Sequence, residues 1–403
     1  MKAYSFFSMA LLIVLAAAGS TGTALELTLY EHDTLTRQRT AYENDVPETT
    51  AAAERLLEEA ESALDAGPFS VTFKAETPPS GDKRDYMSQG PYWWPNPDTE
   101  DGLPYIRRDG ERNPEANKLD RRPLGQMTTA TNTLALAYFF SGDERYAARA
   151  AKLLHVWFLS PETGMNPHLE YGQRIPGRTE GRGIGIIDTR SLMYTGDTAT
   201  LLLASEAWDD EAHDALKDWF RAYLTWLLES DHGKTEARHY NNHGTWYDAQ
   251  VAAFALFAGK EDIARNIIDE KTRERVGEHI EPDGSQPHEL GRTLPALYSI
   301  FNLEGFVDLA MMGARVGVDL WHYETDDGRS IRQALDYLVL YAAGEREWDY
   351  PDLRTPNWAR MAATLRRAAV AYEHPEYEAL LHQMLGEDAP RHRINLLYRS
   401  IAD

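Results

Sequence analysis

Apolar positions recur along this chain mainly at helical spacing. From Glu48 to Ala66 the sequence is rich in alanine and glutamate, repeats Leu56, Leu57 and Leu64 on one face, and stops at Gly67. That is the pattern of an amphipathic helix closed by a glycine. Four further stretches share one theme: an apolar helix, a short polar turn and a second amphipathic helix. LALAYFFSGDERYAARAAKLL turns at Gly142, and LLLASEAWDDEAHDALKDWF turns near Asp209. VAAFALFAGKEDIARNII turns at Gly259, and AAVAYEHPEYEALLHQML turns at His374 and Pro375. Recurring helical hairpins predict an all-α fold, an (α/α) toroid built as an incomplete barrel of hairpins. An unrelated helical bundle is the competing architecture. The repeats match no short solenoid consensus, which favours a ring over an open stack.

Two stretches break the helical pattern. Ser80 to Pro123 carries GPYWWPNP and GLPYIRRDGERNP, and Glu162 to Ile187 carries NPHLEYGQRIPGRTEGRGIGIID. Long irregular segments inside a compact domain are usually functional or disordered. These hold many large aromatics, so they are expected to line one end of the toroid. No Ser/Gly linker or shift in composition marks a boundary, and residues 25–403 read as one domain.

The first 24 residues read as a secretory signal peptide: Lys2 opens it, Met9 to Ala18 is apolar, and Gly22 and Ala24 are small residues before a cut. The apolar run is short for a membrane span. An exported chain without cysteine fits the bacterial periplasm or exterior, and it excludes disulfides and thiolate-bound metals. The formal net charge is 41 − 64 = −23, which argues against a nucleic-acid partner. It also sits awkwardly with a polyanionic substrate, unless basic residues gather in a cleft while acidic ones cover the outside.

The chemistry-bearing residues concentrate in two stretches. RHYNNHGTWYDAQ holds Asn242, His243 and Trp246 just before a small-residue helix read from Ala249 to Gly259, and HELGRTLPALYSI holds His288, Glu289, Arg292 and Tyr298. An amide, an imidazole, a guanidinium and a phenol are what β-elimination from a uronic acid polymer requires. The C5 proton is weakly acidic, so the adjacent carboxylate must be neutralised before charge moves onto it. Asn242, His243 and Arg292 supply donors and a fixed cation for that task. A base must take the proton and an acid must protonate the departing O4; Tyr298 can do either. Arg292 and Tyr298 are six residues apart, off one face of an ideal helix, and a kink or turn at Pro295 is expected to bring them together.

NNHGTWYDAQ resembles the Asn-Asn-His motif of the alginate lyases of polysaccharide lyase family 5, which are built on (α/α) toroids. The longer pattern of YMSQGPYWWPNP, NPHLEYGQRIPGRTEGRGIGIIDT, NNHGTW and HELGRTLPALY more closely resembles polysaccharide lyase family 38, over about Asp82 to Phe306. The resemblance implies that Asn242 and His243 match the catalytic Asn-His pair, and that Arg292 and Tyr298 match the catalytic Arg and Tyr. Family 5 spaces its Arg and Tyr differently. It also carries Ser-Tyr where this chain has Gly244 and Thr245, a departure that bears on sugar preference.

Around this core, Tyr92, Trp93 and Trp94 form either a sugar-stacking platform held by Pro91 and Pro95 or an aromatic plug. Tyr86 and Gln89 could reach the same groove, and Gln173, Arg178 and Arg182 are candidate carboxylate ligands. GRGIGIID superficially resembles a phosphate loop, but no strand–helix context supports that reading. His168, His239, His243 and His288 could form a metal site, yet no tight ligand pair exists; neither metal nor cofactor is expected. The expected activity is lysis of a 1,4-linked polyuronate, alginate containing mannuronate first and glucuronan second. Readings of another class are a glycoside hydrolase, with Glu236, Asp248 and Glu289 as carboxyl candidates, and an oligosaccharide-binding protein. The expected partner is an anionic polysaccharide, with neither nucleic acid nor, once the signal is removed, membrane.

Overall fold

The computed structural model describes residues 25–402; the signal segment read from residues 1–24 lies outside them. The predicted hairpins are present, and each turn has a local cause. Helix Arg121–Ser141 ends on Gly142, whose φ of 71° is the left-handed value that favours glycine. Asp143 then caps helix Glu144–Leu154 by accepting from the Arg145 N–H. Asp209 caps helix Asp210–Glu229 through the Ala212 N–H, and Pro375 opens helix Pro375–Leu385 after helix Ala362–Ala371. The Glu48–Ala66 pattern appears as helix Pro47–Ala63.

The helix expected from Ala249 begins earlier, at Asn242, and runs to Phe257. Asn241 caps it by accepting from the His243 N–H, and nearly every side chain along it is buried. A helix enclosed on all sides shows no polar stripe, so its first two turns carry no periodic signal.

Neighbouring helices trace a curved circuit. Helix Arg121–Ser141 touches the segment Gly183–Leu201, which touches helix Asn242–Phe257. That helix packs on Pro295–Arg315, then come Ala362–Ala371 and Ile394–Leu397, and finally His32–Glu43 and Pro47–Ala63, back beside the start. The two ends of the described segment therefore meet. Three backbone N–H groups, of Thr28, Leu29 and Tyr30, converge on the buried Asp197 carboxylate, and Arg315 donates to the Tyr30 carbonyl. Among the described residues no helix is long and apolar enough to cross a membrane.

The two irregular stretches are joined to each other. Strand Met87–Gln89 pairs in parallel with Tyr171–Arg174, and Trp93–Trp94 pairs antiparallel with Ile106–Arg107. The glycine-rich run serves this packing. A Cβ on Gly181 would lie 1.8 Å from the Glu170 carbonyl oxygen, and one on Gly185 would lie 2.5 Å from the Gly172 backbone. These glycines permit backbone to approach backbone, and the segment continues as the 3-10 helix Gly183–Tyr194.

Candidate active site

The irregular stretches, the start of helix Asn242–Phe257 and the start of helix Pro295–Arg315 enclose a cleft of about 650 Å³. Asn242, His243, Arg292 and Tyr298 all line it, together with Tyr92, Trp93, Gln173 and Arg182. Pro295 does not kink a helix between Arg292 and Tyr298. It opens one, so Arg292 sits in the preceding turn and Tyr298 in the first turn of the helix. The Arg292 guanidinium consequently lies over the Tyr298 ring, 3.9 Å from its centroid.

Buried carboxylates behind the wall hold the Asn-His pair. Glu289 accepts from both the Asn242 backbone N–H at 2.6 Å and its Nδ2 at 2.7 Å, which fixes the orientation of the amide. Burial raises the Glu289 carboxyl, and the two donors from Asn242 pull it back. Glu236, wholly buried, lies 2.7 Å from His243 Nδ1. With Nδ1–H donated to that carboxylate, Nε2 is left as the lone-pair nitrogen. Gly244 follows because nothing larger fits: a Cβ there would sit 2.2 Å from Arg275 Nη1 and 2.3 Å from the His239 carbonyl oxygen. Arg275 is itself tied to buried Asp248.

Across from this pair, the Tyr92 and Tyr298 hydroxyls are 2.6 Å apart. Burial, and then the neighbouring Tyr92, push the Tyr298 phenol well above its ordinary value, while Arg292 acts in the opposite sense. Asp109 accepts from Arg292 Nη2 at 3.1 Å, from the Thr293 hydroxyl at 3.0 Å and from Arg107 at 2.7 Å.

The cleft is strongly cationic. Arg107, Arg112, Arg121, Arg182, Arg190, Arg292 and Arg360 line it, against the single carboxylate of Asp109. Burial lowers Arg182 and Arg190 to about 10, the cost of holding guanidinium groups away from water. Arg190 is held by aromatic faces, 5.1 Å from the Phe301 centroid and 6.0 Å from that of Trp246. This local concentration of charge reconciles a chain of net charge −23 with an anionic ligand.

Most of the remaining sequence-predicted residues sit outside the cleft lining. Tyr86 is fully buried and donates to Asp188, and Gln89 is buried beside the cleft wall. Trp94 donates its indole N–H to the Glu111 carbonyl. Arg178 donates to the Tyr105 carbonyl and lies 5.2 Å from the Trp93 centroid, outside the cleft lining. Trp246 is buried against Phe301, and His288 lies exposed behind Tyr240. Gln173 lines the cleft, but its amide is spent: Nε2 donates to Asp188 and Oε1 accepts from Arg182 Nη2. Asp109, Arg121, Arg190 and Arg360, which the sequence does not single out, come from three separate stretches of the chain and carry no local signal.

The hydrolase carboxyls find no place in the cleft. Glu236, Asp248 and Glu289 are buried under His243, Arg275 and Asn242 respectively, and none lines it. His168 pairs with Asp85 and His243 with Glu236. Among the described residues no group of three His, Cys, Asp or Glu side chains is arranged to hold a metal ion.

Residues 70–348 match the alginate lyase family. The chain belongs to that family and is a polysaccharide lyase. A crystal structure of an alginate lyase from Bacteroides ovatus is similar at 42% identity and a TM-score of 0.89, covering 93% of this chain and 99% of the other. Alginate lyase A1-III from Sphingomonas species A1 shares the fold at 15% identity and a TM-score of 0.54, over 91% and 94% of the two chains. A variant of that enzyme complexed with a tetrasaccharide aligns at 14% identity and a TM-score of 0.56, again over 91% and 94%. No curated protein sequence matches the chain.

Proposed function

We propose that this enzyme cleaves 1,4-linked polyuronate by β-elimination, with mannuronate-containing alginate as its first substrate and glucuronan as its second, and that it works as a single exported domain in the periplasm or outside the cell. The observation that carries the reading is the meeting of Asn242, His243, Arg292 and Tyr298 across one arginine-lined cleft.

Elimination removes the C5 proton, leaves its electron pair as the C4–C5 double bond and breaks the C4–O4 bond, with O4 taking a proton. Asn242, oriented by Glu289, and the cleft cations offset the charge that builds on the carboxylate. In mannuronate and glucuronate the C5 proton and O4 lie on one side. Tyr298 as phenolate takes the proton and, as the phenol so formed, delivers it to O4. Arg292 on the ring face favours that phenolate, while burial beside Tyr92 disfavours it. In guluronate the C5 proton lies on the opposite side. There His243 Nε2, with Nδ1 turned to Glu236, is the base and Tyr298 the acid.

The test is incubation with separate polymannuronate, polyguluronate and glucuronan, following the ultraviolet absorbance of the unsaturated uronate alongside new reducing ends. Absorbance rising fastest on polymannuronate is the expected result. Reducing ends without absorbance would mean hydrolysis, and absorbance on glucuronan alone would reverse the substrate order.

A further inference from the structure

The cleft contains one carboxylate, and it does not face outward to a ligand. Asp109 sits one residue beyond Arg108 in the turn after strand Ile106–Arg107, and its two oxygens are engaged by Arg292, Arg107 and Thr293. A lone acid among seven arginines would repel a polyanion if it were free. Here its oxygens are taken up by Arg107, by Thr293 and along one edge of the Arg292 guanidinium, where Nη2 reaches Oδ1 at 3.1 Å and Nε reaches Oδ2 at 3.3 Å. That two-point grip limits how the Arg292 guanidinium can turn, and it holds Cζ over the Tyr298 ring, 3.9 Å from the centroid. An arginine bound at its edge in this way has little freedom to turn its Nε–Nη2 side toward a substrate carboxylate.

We propose that Asp109 is a positioning residue that holds Arg292 over the Tyr298 ring, so that Arg292 serves the phenol and leaves carboxylate neutralisation mainly to Asn242 and the other cleft arginines. The inference rests on the roles proposed above for Arg292 and Tyr298. Asp109 is well placed for it. Burial opposes its charge, but hydrogen bonds from Arg292 and Arg107 outweigh it and hold the carboxyl below its ordinary value. Two further contacts hold the turn itself. The Thr293 hydroxyl bonds Asp109, and Leu353 approaches both Thr293 and Gly110. Among the described residues, charged and titratable groups that act on Tyr298 are Tyr92 and Asp109 from the irregular stretch, Arg121 from its helix, and Arg292.

The experiment is steady-state kinetics of Asp109→Ala and Asp109→Asn on polymannuronate, with Tyr298→Phe in parallel and thermal melts of each variant. Asp109→Ala releases the guanidinium from the ring. The expected result is a fall in kcat on the order of 100-fold with KM little changed, since misplacing a reacting group by about 1 Å has effects of that size. Asp109→Asn keeps an oxygen for Arg292 but removes the negative charge that opposes the phenolate, so the pH at which kcat reaches half its plateau moves downward. If Asp109→Ala fails to fold, the Asn variant decides. A rise in KM at unchanged kcat would overturn the proposal by making Arg292 a substrate ligand. Wild-type kinetics in Asp109→Ala, or an unmoved pH profile in Asp109→Asn, would overturn it as well. Full turnover by Tyr298→Phe would instead remove the role of Tyr298 on which the proposal stands.

Discussion

The hydroxyls of Tyr92 and Tyr298 lie 2.6 Å apart, although 206 residues separate them in the chain. One phenol comes from an irregular aromatic stretch and the other from the first turn of a buried helix. Tyr298→Phe removes the hydroxyl but keeps the ring under Arg292. Product formation is expected to fall by about 10²–10⁴, the range for a lost acid–base group, while binding of a short oligouronate is retained. Tyr92→Phe leaves Tyr298 intact and is expected to cost less. Calorimetric binding together with absorbance kinetics separates the two effects; equal loss of binding and turnover in Tyr298→Phe would make it a ligand only.

The phenol of Tyr298 is pushed above its ordinary value by burial and then by Tyr92. At neutral pH it is therefore protonated, and its phenolate fraction grows by about tenfold for each unit of pH below its pKa. If polymannuronate cleavage starts from the phenolate, as proposed, it is expected to rise steeply from neutral to alkaline pH. Polyguluronate cleavage, for which the proposed role of Tyr298 is that of the acid, is expected to lack that rise. A pH–rate profile of each block polymer checks this, and identical profiles would reject separate bases.

Glu236 touches His243 from behind and does not line the cleft. Glu236→Gln keeps the size but loses the charge that holds Nδ1 as the donor. The expectation is a selective fall in polyguluronate cleavage, on the order of 10-fold or more, with polymannuronate cleavage little affected. A uniform loss on both polymers would point to a role in the fold alone.

Gly244 lies where backbone and Arg275 leave no room for a methyl group. Gly244→Ala must displace either the His239 carbonyl or the Arg275–Asp248 pair, and overpacking of this kind costs about 1–3 kcal/mol. A lower melting temperature with loss of activity on both substrates is expected. An unchanged melt would mean that the start of the helix yields easily.

Much of the toroid is legible because helical hairpins leave local marks. Gly142 and Asp143 end one helix and begin the next, and Pro375 opens another, through interactions within a few residues. The start of helix Asn242–Phe257 escapes that reading because burial on every side erases its periodicity. At the site, Asn242, His243, Arg292 and Tyr298 stand in compact, unusual strings, whereas Asp109 and Arg190 are ordinary residues in their local context. Tyr86 and Trp246 show the reverse: aromatics near a motif, yet buried against Asp188 and Phe301.

The helical class, the hairpin turns, the family and the kinds of side chain available for elimination are legible in the residues alone. Each of these depends on residue type or on contacts within a few positions. Which groups face one another is set by the packing of distant segments: Tyr92 against Tyr298, Glu236 behind His243, Glu289 behind Asn242 and Asp109 along Arg292. Electrostatic and hydrogen-bond partners are chosen by distance in space, and the curvature of the helical array brings together segments that the chain keeps far apart.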